Sequence, residues 1–360
     1  MRLGRRKIRH LNLALQGGGA HGAFTWGVLH RLLNEADVRI GWLSGTSSGA
    51  VNAICVAHGL AHRDPAAGQL ALERIWQGVE RAGIPDLLRL NPFLVGLVKA
   101  APMPSLSALL SPYEFNPGGF DPLRKILSEH IDFEAIRTSQ TTEILLAATD
   151  VATGRARLFR RREMTVDVVL ASACLPSLNH AVEIDGRFYW DGGFSANPDL
   201  LALATECPIK DTLLVQLNPI HKSEIPRDTK GIEDRVNTIT FNQPLLRDIE
   251  TIIMAQQMRT SWFASRNNPL RHIKTHRFHL IAAGRHTAGL GAESKVVPDL
   301  ELLSYLHGSG RTEASRWLEQ HKASIGRRGT VNLRNHYLEP TGIFAPRDNL
   351  DAAAGPDDNV

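Results

Sequence analysis

Apolar and polar positions follow two rhythms in the first half of the chain. Leu11–Leu15 is a short apolar run with the length of a buried strand, and Gly17–Gly22 is a glycine-rich break. Ala23–Leu33 carries Phe24, Val28, Leu29 and Leu32 at helical spacing. A second short strand ends near Ser44, and a helix rich in small residues runs from Ser48 to about His58. Strand, glycine turn and helix, twice over, predict a parallel sheet with helices packed on its faces.

Farther along, Glu143–Asp150 reads as a strand, Thr153-Gly154 as a turn and Arg155–Phe159 as its return. Thr165 is placed to cap a helix from Val166 to Ala173. Val182–Ile184, Asp185-Gly186 and Arg187–Trp190 form a hairpin pattern with a primed-type turn. Thr212–Leu217 and Phe278–Ala283 are further strands, with a helix over Leu245–Ala264 between them. Leu300–Leu306 and Thr312–His321 read as two short helices.

Two stretches break the rhythm. Between Ile84 and Pro117 an apolar sequence with Phe93, Leu94, Val95, Leu97 and Val98 is cut by repeated prolines, which excludes one continuous helix. It reads as an insertion, and Phe93–Leu110 is expected to border the substrate entrance and touch a membrane surface. After Leu338 the chain becomes rich in Pro, Asp, Ala and Gly, the composition of a disordered tail. The expected organisation is a basic lead-in (1–10), a catalytic domain (11–205, insertion 84–117), a largely helical C-terminal part packed on it (206–338) and the tail (339–360).

Composition narrows the class. A hydrophobic fraction of 43% and a charged fraction of 22% over 360 residues suit a folded protein with a sizeable core. The net charge of +4 favours an anionic membrane surface and is too small to argue for nucleic acid. Arg2, Arg5, Arg6, Lys7 and Arg9 precede an apolar run too short for a secretory signal. Cys55, Cys174 and Cys207 are too few and too widely spaced for a disulfide framework or a zinc site. A cytoplasmic protein with peripheral access to membranes is expected, without metal.

Three constellations carry chemistry. Gly17-Gly18-Gly19-Ala20-His21-Gly22 lies between a strand and a helix, where unpaired amides and the helix dipole favour a phosphate or an oxyanion. Through Gly17, Gly19 and Gly22 it also matches a dinucleotide fingerprint, with Asp37 in range for a ribose. Gly45-Thr46-Ser47-Ser48-Gly49 is a G-x-S-x-G string placed after a strand and before a helix of small residues, as a nucleophile elbow requires. Tyr189-Trp190-Asp191-Gly192-Gly193 puts an aspartate at the end of an apolar strand; by itself it is an Asp-Gly-Gly turn. These residues leave four readings open: a Ser-Asp hydrolase, a Ser-His-Asp hydrolase using one of His221, His272, His276 or His279, a dinucleotide-binding oxidoreductase, and a catalytically silent lipid-binding or scaffolding protein, against which intact Ser47 and Asp191 argue.

In that order, the three motifs resemble the patatin-like phospholipase family, with a weaker echo at Leu170–Pro176. The resemblance covers about Leu11 to Leu203. It implies a three-layer α/β/α fold with a mostly parallel central sheet, and hydrolysis of lipid esters without a cofactor. It further implies Ser47 as nucleophile, Asp191 as base and the Gly17, Gly18 and Gly19 amides as oxyanion donors. His21, Gly22, Gly45, Gly49, Gly192 and Gly193 would be supporting residues. The sequence departs from the family's pattern at His21, where Arg or Lys is common, so that a titratable side chain replaces a permanent charge.

Overall fold

The computed structural model describes residues 7–82, 110–221, 225–258, 268–290, 293–296 and 298–338. The lead-in 1–6, the segment 83–109 and the tail 339–360 lie outside the described residues, as does the membrane contact expected of Phe93 onward.

One sheet organises the chain. Its strands are β1 (Arg9–Leu15), β2 (Val38–Gly45), β3 (Ile144–Asp150), β4 (Ala156–Arg160), β5 (Val182–Ile184), β6 (Arg187–Asp191), β7 (Asp211–Gln216) and β8 (Arg277–Ala282). Their order is β5-β6-β3-β2-β1-β7-β8, with β4 also paired to β3. The run from β3 to β8 is parallel, and β4 and β6 join β3 antiparallel. The two turn residues between β5 and β6, Asp185 (φ 52°) and Gly186 (φ 75°), both have positive φ, as a primed turn demands.

Successive side chains of a strand point to opposite faces, and this deals apolar residues to two cores. Leu11, Leu13 and Leu15 of β1 join one buried cluster with Leu213 and Val215 of β7, whereas Ala14 and Leu214 join the other. Helices α1 (Gly22–Leu33), α2 (Ser48–Ala61) and α3 (Pro65–Ala82) cover the first face. Helices α4 (Leu200–Glu206) and α5 (Thr229–Gln257) cover the second. The result is the expected α/β/α arrangement.

The C-terminal part enters the same sheet: β7 pairs with β1, and β8 extends it. Residues 300–321 form one helix, α6 (Leu300–His321), where the sequence suggested two. Gly308 and Gly310 fall between the two stretches, and Gly310 marks a helix crossing. A Cβ on Gly310 would lie 2.0 Å from the Phe24 carbonyl oxygen of α1, and one on Gly27 would lie 2.0 Å from the His307 carbonyl oxygen of α6. Two glycines therefore set the approach of α1 and α6.

Among the described residues no helix is long and apolar enough to cross a membrane. The three cysteines are buried and free.

The crossing gives a test. In an exposed helix, Gly→Ala stabilises by about 1 kcal/mol. Gly310→Ala should instead destabilise, by roughly 1–3 kcal/mol, because the methyl meets backbone that cannot rotate away. Urea denaturation of the variant and the parent would measure this, and a stabilised Gly310→Ala would refute the close crossing.

Candidate active site

The pairing of β3 brings two distant segments together. β4 lies along one edge of β3, from Leu145 to Thr149. The other edge is shared in series: β2 pairs as far as Gly45 opposite Leu146, and β6 takes over with Asp191 opposite Ala148. The turn that follows β2 carries Ser47, and the last residue of β6 is Asp191, so the two side chains meet at the sheet edge.

Ser47 is a non-glycine residue with φ 55° and ψ −126°, a strained conformation at the junction of β2 and α2. Close packing enforces it. A Cβ on Gly45 would lie 2.6 Å from the Gly49 carbonyl oxygen, and one on Gly49 would lie 2.1 Å from that of Leu15. Neither flanking glycine tolerates a side chain. The Ser47 amide donates to the Ser172 hydroxyl at 3.1 Å, and the Thr46 hydroxyl to the Ala196 carbonyl at 2.7 Å. Ser172 and Thr46 thus hold the turn on either side of the serine.

The Asp191 carboxylate is fully buried. Its Oδ1 accepts the Gly193 amide at 2.7 Å, while its Oδ2 has no hydrogen-bond partner of good geometry. Burial pushes its pKa up to about 7, and the Ser47 hydroxyl beside it and the Gly193 amide offset part of that rise. The two glycines after Asp191 serve packing. A Cβ on Gly192 would strike the Ala147 carbonyl oxygen at 2.1 Å, and one on Gly193 the Phe241 ring of α5 at 2.4 Å.

The glycine-rich loop runs alongside. The Gly17 amide donates to Asn197 Oδ1 at 2.7 Å, and the Gly17 carbonyl accepts from Asn218 Nδ2 at 3.2 Å. The Gly18 amide donates to the Ser48 hydroxyl at 3.1 Å. Among the described residues, the amides of Gly19 and Ser48 make no hydrogen bond, which leaves these two as candidate oxyanion donors in place of the engaged amides of Gly17 and Gly18. Ser48 opens α2, whose dipole favours negative charge at this point. Gly22 lets α1 approach α2, since a Cβ there would lie 2.6 Å from that of Ser48. Gln16 braces the loop from behind, its Oε1 accepting the amides of Leu217 (2.8 Å) and Asn218 (2.9 Å).

His21 is buried, with Nε2 2.7 Å from the Ser294 hydroxyl. Burial, reinforced by the nearby Lys295 charge, lowers its pKa to about 4, so the ring is neutral at pH 7. The other candidate histidines lie elsewhere. His276 bonds Thr212, and His279 sits between Asp211 and Thr330. Asp211 and Thr212 begin β7, whereas Leu217, just past its end, packs by Gly18. Five residues of strand, about 17 Å, separate the two ends. Both histidines are buried, although the basic stretch Arg271–Arg277 around His272 and His276 reads from sequence as a solvated face. Asp37, the candidate ribose ligand, is bound to Arg9 and Lys322. His221 is exposed and outside the contacts of Asp191. Among the described residues, no cluster of His, Cys, Asp and Glu suits a metal ion.

A cleft of about 870 Å³ is lined by Ile8, His10, Val38, Gly41 and Trp42 at the opposite ends of β1 and β2. It is too remote from Ser47 to serve the same chemistry.

A mixed, mostly parallel sheet between two helical layers defines an α/β/α protein, with a strained serine and a buried aspartate at one sheet edge. Residues 13–204 match the patatin-like phospholipase family, more than half of the chain, and the protein belongs to that family. No curated protein matches the sequence. Among solved structures, VipD from Legionella pneumophila is similar at 14% identity and a TM-score of 0.44, over 87% of this chain and 67% of that one. The ExoU-SpcU complex from the type III secretion system of Pseudomonas aeruginosa gives 15% identity and a TM-score of 0.33, over 87% of this chain and 52% of the matched one. The protein thus spans about two thirds and about half of these two chains.

The raised pKa of Asp191 has a thermodynamic consequence. The carboxyl titrates near 3.8 when unfolded and near 7 when folded, so between these values the folded state holds the extra proton. Stability from this group is present below about pH 4 and lost as pH rises through 7. Asp191→Asn should therefore melt at a higher temperature than the parent at pH 8, by the equivalent of a few kcal/mol, with the gap closing at pH 4. Melting curves across that range would show it, and a constant or reversed difference would contradict the burial.

Proposed function

We propose that the protein is a serine acyl hydrolase acting on lipid esters through a Ser47–Asp191 dyad. The carrying observation is the strained Ser47 hydroxyl set beside a buried carboxylate whose free Oδ2 can take a proton. Asp191 accepts the hydroxyl proton as Ser47 Oγ attacks the ester carbonyl. The carbonyl π electrons move to oxygen, and the free Gly19 and Ser48 amides stabilise that oxyanion, with Gly17 and Gly18 fixing the loop. Collapse expels the alcohol, which takes the proton back from Asp191, and leaves an acyl-Ser47. A water then gives its proton to Asp191, attacks the acyl carbon and releases the fatty acid, and the proton returns to Ser47.

An aspartate near its ordinary pKa is a weak base; a pKa of about 7 brings it into the range in which proton transfer is efficient at neutral pH. Family membership supports lipid as the substrate class. Peripheral contact with a membrane follows from that substrate, and the enzyme would work where it meets lipid from the cytoplasmic side. No step calls for a cofactor, a metal or nucleic acid.

A fluorophosphonate probe should label the protein at Ser47, and Ser47→Ala should remove the adduct. Asp191→Asn should abolish ester hydrolysis as fully as Ser47→Ala, by roughly 10⁴- to 10⁶-fold, because the pair acts as a unit. Single alanine replacements of His221, His272, His276 and His279 should keep most of the rate in every variant that folds. The kcat/KM profile should rise with pH to a limb near 7, as Asp191 becomes ionised. Labelling undiminished in Ser47→Ala would sink the assignment, and a histidine as essential as Ser47 would replace the dyad by a triad.

A further inference from the structure

The turn Glu293–Val296, far along the chain from the family-matched segment, closes over the glycine-rich loop. Gly19 has φ 57°, and a Cβ there would lie 2.1 Å from the Lys295 carbonyl oxygen. Beside this contact, the Ser294 hydroxyl meets His21 Nε2 at 2.7 Å. Two polar groups in this corner are left over. His21 Nδ1 is buried and unpartnered, and Lys295 makes no hydrogen bond or ion pair among the described residues. When the Ser294 hydroxyl donates to Nε2, the neutral His21 ring carries its proton on Nδ1 and becomes a free donor.

A partly buried ammonium that feels Asp234 of α5 but makes no hydrogen bond or ion pair with it is costly, and a chain gains nothing from it by packing alone. Burial lowers the Lys295 pKa to about 8, Asp234 of α5 opposes that shift, and the group remains largely protonated at pH 7. A cation and a free N–H donor against the loop that faces Ser47 suit a single anionic group carried close to the scissile ester.

We propose that Lys295, with His21, forms an anion-binding recess beside the Gly17–Gly19 loop that receives the phosphate or carboxylate of a lipid ligand. It rests on the acyl-hydrolase reading for its use in catalysis, though not for its binding. Two sources supply such a group: the phosphate ester of a glycerolipid substrate and the carboxylate of the released fatty acid. The recess makes Lys295 a specificity residue, favouring lipids with a phosphate next to the ester over neutral acylglycerols.

The test uses the full chain carrying Ser47→Ala, so that ligands are not consumed, with Lys295→Met and Lys295→Arg added separately. Calorimetric titration with dihexanoyl phosphatidic acid, dihexanoylglycerol and hexanoate measures binding. The phosphate-bearing lipid should bind about 10- to 100-fold more tightly than the neutral one, the worth of one charged hydrogen bond. Lys295→Met should erase that ratio to within about twofold, and Lys295→Arg should keep most of it. Loss of hexanoate binding alone in Lys295→Met would assign the recess to the product carboxylate and uphold the anion site. An unchanged ratio in Lys295→Met with hexanoate binding also unchanged, or an equal loss of the charged and neutral lipids, would overturn it. Thermal melting guards against misfolding, because removing an unpaired ammonium should not lower stability; a variant that melts much lower shows that the ammonium is structural and also overturns the proposal. Lys295-dependent binding by a chain whose Ser47 takes no fluorophosphonate would refute the hydrolase and leave the recess standing.

Discussion

β3 has two edges and three strand partners, and the way they fit decides the site. β4 takes one edge for five residues, so β2 and β6 must follow each other along the other. Where one stops and the other starts, the chain ends of two strands face each other with no room for a loop to wander. Ser47 and Asp191 occupy that junction. The Cys174 carbonyl, which accepts the Asp191 amide at 2.7 Å, and Ser172, which accepts the Ser47 amide, come from one helix end and pin both sides of it. The proposed dyad is thus positioned by backbone pairing more than by contacts of its own side chains.

Such a junction carries a free-energy cost. Ser47 holds a φ that its side chain disfavours, by about 1–3 kcal/mol, and Asp191 is taken out of water with one oxygen unpaired. The surroundings offset this by satisfying nearly everything else nearby. Gln16 bonds Leu217, Asn218 and Asn242; Gln216 bonds Asn218 and receives the Tyr337 hydroxyl; Asn197 links Gly17 to the Phe241 carbonyl of α5. A buried network with so few loose ends resists rearrangement, which keeps the strained turn from relaxing.

The sequence revealed what depends on local backbone chemistry. Strands of the sheet, the primed hairpin turn and the helix capped by Thr165 were readable because spacing and turn residues act within a few positions. Ser47 and Asp191 stood out for the same reason, Ser47 just past a strand and between two glycines, Asp191 at a strand end and before two. Asn197, Ser172 and Lys295 did not, since their importance comes from partners 180, 125 and, for the Lys295 turn, about 270 positions away. The single helix over residues 300–321 was hidden for a related reason: glycine inside a helix weakens it locally, and only the facing helix explains Gly310. The burial of His276 was equally hidden, because flanking charges at Arg271, Lys274 and Arg277 suggested water while Thr212 supplied a partner from β7.

The family-matched segment ends at residue 204, yet β1 in the middle of the sheet owes one edge to β7, and α1 owes its glycine face to α6. Cut at that boundary, the chain would expose the unpaired edge of a fully buried strand and a row of helix backbone shaped for a neighbour no longer there. The unit shared by descent and the unit that folds are therefore different in this protein. A recombination event that exchanged only the motif-bearing segment would inherit the reactive residues without the scaffold that keeps them apart from water.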